Sequence, residues 1–178
     1  MCRQKIYFLA CFLAYLFKGG EVLSNDALPN LYFAKSIPSS IERRLADDGF
    51  TLVAKKRVVA WNYDGMHYFL VFRGSTGGCG IANYEAKKDR YNIVDLYDEC
   101  KVIAGPVLED LVGDGSKAIV VRMRLRANGP ELGEVTQFNA YLYVKERSEF
   151  CRNDDAGSFA NGARVPNSAI KFGPSICR

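Results

Sequence analysis

Residues 117–126 read KAIVVRMRLR and residues 135–145 read VTQFNAYLYVK. Both are rich in β-branched and aromatic side chains, and the second half of the first alternates apolar with basic. That composition and a period of two mark strands. Asn128-Gly129-Pro130-Glu131-Leu132-Gly133 between them is turn chemistry, so the pair is expected to form a hairpin. Alternation puts Arg122, Arg124 and Arg126 on one face, about 6.8 Å apart, and Val121, Met123 and Leu125 on the other. The expected register sets Arg126, Arg124 and Arg122 opposite Val135, Gln137 and Asn139. Tyr141 and Tyr143 then extend the arginine face.

The same period runs back through the chain. Thr51 to Trp61 (TLVAKKRVVAW) reads as a strand with a bulge around Lys55-Lys56-Arg57. Asn62-Tyr63-Asp64-Gly65 is a hairpin turn, Asp-Gly being its strongest signal. Met66 to Phe72 (MHYFLVF) is apolar on both faces and reads as a central, buried strand. Gly74 to Gly80 (GSTGGCG) is a loop. Ile81 to Ala86 and Tyr91 to Tyr97 are strands joined through Lys87-Lys88-Asp89. Val107 to Leu111 is a short strand ended by a turn at Val112-Gly113-Asp114-Gly115. Ahead of them, Ile37 to Gly49 reads as a helix: Pro38 at its start, Ser39 or Ser40 as cap, Ile41, Leu45 and Ala46 at helical spacing, Gly49 as stop. Six or seven strands with turns every 8–12 residues predict a mainly β domain. The architecture expected is an antiparallel β-sandwich or partial barrel with a short N-terminal helix.

Residues 1–24 read as a signal peptide. Arg3 and Lys5 precede the apolar run IYFLACFLAYLF at Ile6–Phe17, too short to span a bilayer, and Val22-Leu23-Ser24 offers a cleavage site before Asn25. Residues 25–178 form the single β domain, periplasmic or secreted, with no stable membrane span once the signal is gone. The whole chain has 24 basic and 20 acidic side chains. Removing the signal takes away three basic residues and one acidic, leaving a net charge near +2. Such a balance lacks the dense basic footprint of a nucleic-acid partner.

The exported part keeps four cysteines, Cys79, Cys100, Cys151 and Cys177. An even number in an oxidising compartment points to disulfides. Cys79–Cys100 and Cys151–Cys177 are the favoured pairs, since each closes a local loop, and the second would tie the tail after Cys151 to the body. Zinc is disfavoured: there is no CxxC, and His67 is the one histidine.

Three segments invite chemistry. Asp110-Leu111-Val112-Gly113-Asp114-Gly115 resembles the calcium loop of integrin-type FG-GAP blades, with Asp110 and Asp114 at ligand positions and Val112 where a third oxygen belongs. At most it implies a weak Ca²⁺ site, and the plain reading is a turn held by Asp and Gly. Ser75 and Thr76 sit in a glycine-rich loop that lacks the lysine of a phosphate cradle but would be pinned by Cys79, which makes it a contact loop. His67 with Ser75 and Asp64 could be imagined as a hydrolase triad, yet His67 lies in an apolar strand, where a core histidine is the simpler reading. No catalytic residue is assigned. The largest patterned surface is the row Arg122, Arg124 and Arg126 with Tyr141 and Tyr143. Arginine and tyrosine are favoured at interfaces, although a solvated sheet face gives the same pattern.

An exported chain with a short first helix, an antiparallel meander and a disulfide-tied tail resembles small periplasmic β-sandwich proteins of the carbapenem intrinsic-resistance and I-type lysozyme inhibitor kind. The resemblance is one of layout across residues 37–150. Ser75-Thr76-Gly77-Gly78 departs from the Ser-Gly-x-x-Tyr loop of the lysozyme inhibitors, so no inhibitory residue is carried over. It implies a non-enzymatic exported binding protein that neutralises a toxic protein or antibiotic in a resistance, immunity or inhibitor role. The alternatives are an envelope-associated structural β module with the weak cation site, and an unrecognised hydrolase. The partner expected is a protein or a small toxic ligand, and an exposed sheet edge would allow a homodimer.

Overall fold

The computed structural model describes residues 28–111, 113, 115–126, 133–162 and 175–176. Residues 1–24, expected to be a signal, Val112, Asp114, residues 127–132 and Cys177 lie outside them. Two antiparallel sheets make up the fold. The first contains β1 (Tyr32–Phe33), β3 (Val59–Asn62), β4 (Met66–Gly74), β5 (Cys79–Glu85) and β6 (Arg90–Tyr97) in that order, with β2 (Phe50–Leu52) pairing the far end of β4. The second runs β11 (Ser175–Ile176), β10 (Glu149–Asn153), β9 (Glu134–Val144), β8 (Ala118–Arg126), β7 (Cys100–Glu109). The expected sandwich is the observed architecture, and no closed barrel forms.

The apolar run 66–72 is buried on both faces because each face of β4 meets a different layer. Phe69 and Val71 point inward with Val59, Trp61 and Ile81, and meet Ile119, Val121, Met123, Tyr141 and Phe150 of the second sheet. Tyr68, Leu70 and Phe72 point outward beneath helix α1 (Ser39–Asp47), which contributes Ile41 and Leu45. The second sheet has its own cover. Helix α2 (Asp154–Ala160) lays Ala156 over Ala118, Val120 and Ala140. Small side chains on both surfaces let the helix sit close.

The turn at 62–65 forms as expected: Asn62 pairs with Met66, and Asp64 and Gly65 adopt positive φ. The bulge expected near Lys55–Arg57 is a larger interruption. Leu52 pairs with Phe72 and Val59 with Phe69, so residues 53–58 stand opposite Leu70 and Val71 alone. Lys55–Arg57 make one 3-10 turn there, after Ala54 at φ +55°. Helix α1 starts and stops where expected, but neither Ser39 nor Ser40 caps it: Pro38 holds the N-cap position without a side-chain bond.

Four expectations are corrected. The hairpin of β8 and β9 is shifted by one residue: Arg122 pairs with Phe138, Arg124 with Thr136 and Arg126 with Glu134. A one-residue slip moves every partner to the opposite face. Tyr141 is therefore fully buried between the sheets, and Tyr143 packs against the same core. β7 spans ten residues rather than starting at Val107. It runs through Pro106 because β7 is an edge strand, where proline is tolerated. The tail expected after Cys151 begins with regular structure: Glu149–Asn153 forms β10 and α2 follows, its first turn capped by Asn153 Oδ1 accepting the Ala156 N–H at 2.7 Å. Finally, Cys79 and Gly80 belong to β5, so the expected loop 74–80 shrinks to Ser75–Gly78.

Candidate functional site

The connection Ser75–Gly78 folds back on itself. The Gly74 N–H donates to Gly78 O at 2.8 Å and the Gly77 N–H to Gly74 O at 3.2 Å. Gly77 takes φ +97°, open to glycine at no steric cost. Gly78 lies against the turn between β6 and β7, where a Cβ would come within 2.7 Å of Tyr97 O. One residue on, Cys79 is bonded to Cys100, so a disulfide joins the two sheets beneath this corner. This confirms one of the two expected pairs. Cys151 is also disulfide-bonded.

Loop and turn thus form two fixed walls. Between them lies a groove of about 320 Å³ lined by Phe50, Phe72, Leu96, Thr76, Asp98 and Glu99. Phe50 is the aromatic ring of the floor, and it rests on the fully buried Phe72, ring centroids 4.6 Å apart. The Phe72 ring packs directly against Gly80; a Cβ there would overlap it. Leu96 is 58% exposed, more than any other large apolar side chain among the described residues. Glu99 pairs with Arg126 at 2.9 Å. Asp98 is exposed and makes no ion pair among the described residues.

The chain matches no family model, no curated protein and no solved structure. The groove therefore stands on its own chemistry. An aromatic floor and an exposed leucine take an apolar group, and an unpaired carboxylate at the rim favours a positive charge beside it.

The structure scatters the residues singled out in the sequence. Ser75 and Thr76 are exposed on the loop, and Thr76 lines the groove. The arginine row lies on the outer face of the second sheet, with only Arg126 reaching the groove's rim, and its members have partners. The Arg122 guanidinium sits 5.5 Å from the centre of the Phe138 ring, Arg124 is 3.3 Å from Glu134, and Arg126 meets Glu99. Tyr141 and Tyr143 are not on that face. The Asp110 carboxylate accepts the Gly113 N–H at 2.7 Å and the Gly115 N–H at 2.8 Å, the geometry of a turn-holding aspartate. Asp114 lies outside the described residues. His67 is buried, stacked 5.3 Å from Trp61 and bonded through Nε2 to Tyr63 O at 2.7 Å. It stands near the start of β4 and Ser75 follows its last residue, about 26 Å of extended chain away, so no triad forms.

Sequence reasoning missed a polar cluster at the margin of the core. One oxygen of Asp95 accepts the Tyr141 hydroxyl at 2.9 Å and the Tyr97 hydroxyl at 3.1 Å. Arg152 approaches the other at 3.6 Å, and Asn139 Nδ2 donates to the Tyr97 hydroxyl at 2.9 Å. Burial, and then the Asp95 charge, push Tyr97 up to about 12. Burial foremost, with Tyr97 and Asp95 beside it, holds Tyr141 well above the usual tyrosine value. The available signal was an aspartate inside the apolar stretch Ile93-Val94-Asp95-Leu96. The cluster's groups satisfy one another, and it serves as a polar tie between sheets.

Proposed function

We propose that this chain is an exported, non-enzymatic binding protein that neutralises a toxic protein or antibiotic, in the periplasm or outside the cell. Its contact surface is the groove between Ser75–Gly78 and Asp98–Glu99. The observation that carries this reading is the fixing of both groove walls by the Cys79–Cys100 bridge and the Gly78 contact, beside an exposed Leu96. A rigid, partly apolar concavity loses little order on binding. The disulfide fits an oxidising compartment. Among the described residues no helix is long and apolar enough to cross a membrane.

The lysozyme-inhibitor and carbapenem-resistance resemblance supplies the first targets. The mature, disulfide-bonded chain is titrated into a muramidase assay on a panel of lysozymes. In parallel, cells exporting it are scored for β-lactam tolerance. Stoichiometric inhibition of one lysozyme, or raised tolerance abolished by Leu96→Glu, is expected. The absence of both effects removes these targets and the neutralising role built on them.

A further inference from the structure

We infer that the groove takes an arginine or lysine side chain that a partner protein presents beside an apolar residue. This rests on the binding reading above and names the chemistry of the partner. Three observations converge on it.

The first is charge. Two carboxylates stand on the rim, and Arg126 neutralises Glu99 at 2.9 Å. Asp98 remains without a cation among the described residues. A guanidinium or ammonium entering the groove meets Asp98 at the rim and the Phe50 ring at the floor. Arginine and lysine are the side chains whose apolar stem and charged head use both.

The second is size and continuity. At about 320 Å³ the groove is at the small end of ligand sites, enough for one large side chain. The apolar surface does not stop at its edge. Leu96 and Ile93 pair with Gly80 and Ala82 across β5 and β6, so they share the outer face of the sheet, and both are exposed. A small ligand would leave this strip uncovered. A protein that anchors one basic side chain in the groove and lays an apolar neighbour on Leu96 and Ile93 covers it.

The third is rigidity. The Cys79–Cys100 bond, the bond from Gly74 N–H to Gly78 O and the close passage of Gly78 past Tyr97 hold the anchor site open in the free protein. Buried anchors in preformed pockets dominate protein–protein affinity, and arginine is among the favoured anchors.

The test is a titration of ¹⁵N-labelled, disulfide-bonded residues 25–178, followed by amide chemical shifts. The probes are acetyl-Leu-Arg-Leu-amide, acetyl-Leu-Glu-Leu-amide and arginine methyl ester. The arginine peptide is expected to give saturable shifts at Thr76, Leu96 and Asp98, with the glutamate peptide clearly weaker. Asp98→Asn, an exposed change that spares the fold, is expected to weaken the arginine peptide by about three- to fivefold, the size of a partly exposed ion pair. Leu96→Ser is expected to weaken both peptides. Equal binding of the two peptides, or shifts confined to other surfaces, overturns the inference. Arginine methyl ester binding as tightly as the peptide makes this a small-cation site and overturns the protein partner. Concentration-dependent shifts of the same amides without probe make the occupant a second copy, with the same result. The outcome is separable from the neutralising role. Peptide selectivity with no neutralised target leaves the inference standing alone. Neutralisation indifferent to Asp98→Asn, with no arginine preference, leaves the role standing without it.

Discussion

Arg152 on β10 stands 3.6 Å from Asp95 on β6, so an ion pair joins the margins of the two sheets. The same carboxylate accepts the hydroxyls of Tyr97 and Tyr141. Asp95→Ala removes all three partners at once and strands the buried Tyr141 hydroxyl. The expected loss is about 2–3 kcal/mol, read from equilibrium urea unfolding. Tyr141→Phe, which leaves Asp95 its other partners, is expected to cost about 1 kcal/mol. Equal stability of Asp95→Ala and the parent protein would contradict the role of the cluster as a tie.

The cluster also sets an alkaline limit. Tyr97 is pushed up to about 12 in the fold, chiefly by burial, against 10 when unfolded. A raised pKa means the fold favours the protonated hydroxyl. Its contribution is complete below pH 10 and is lost as pH climbs from 10 through about 12. Melting temperature followed from pH 8 to 12 is expected to hold steady and then fall across that window. Absorbance at 295 nm should show late-titrating tyrosines that ionise with unfolding. Tyr97→Phe should flatten the fall; an unchanged slope in that variant would refute the assignment.

The groove floor depends on Gly80. Gly80→Ala puts a methyl group where the Phe72 ring lies, so the ring must move out of its packing with Phe50. Overpacking of this kind costs about 1–3 kcal/mol. Thermal unfolding checks the cost. Near-ultraviolet circular dichroism checks the displaced ring, and a silent spectrum would contradict the geometry.

Cys79 and Cys100 are 21 residues apart in sequence. A loop of that length implies about 3 kcal/mol of stabilisation through the unfolded chain. The Cys79→Ala, Cys100→Ala double variant is expected to lose about that much in urea unfolding. Non-reducing peptide mapping should recover Cys79 with Cys100 and Cys151 with Cys177; any other pairing contradicts the framework.

Much of the fold was legible because its signals were local. Asp64-Gly65 marks its turn, the run 66–72 has no polar face to expose, and Ile41 and Leu45 give α1 its buried side. The failures were questions of partner. Nothing within residues 117–145 says which of two registers the hairpin takes. The choice that buries Tyr141 against Phe69, ring centroids 5.1 Å apart, is made by the other sheet. β7 runs on through Pro106 because it is an edge strand, which only the sheet order reveals. The groove is half visible in the sequence: the glycine-rich loop and Cys79 are local signals, while Phe50, Leu96 and Asp98 come together only through strand pairing. Asp95 carries only a weak local signal, since an aspartate in a strand is ordinarily a solvent-facing residue and only the second sheet brings Tyr141 and Arg152 to it.

The proposed contact surface is the groove and not the arginine face. The direct measurement is photo-crosslinking of the chain in an extract of its host's cells, with p-benzoylphenylalanine placed at position 96 or at position 122. One defined protein adduct is expected from position 96, none from position 122, and loss of that adduct with Asp98→Lys. An adduct from position 122 alone, or none from position 96, contradicts it.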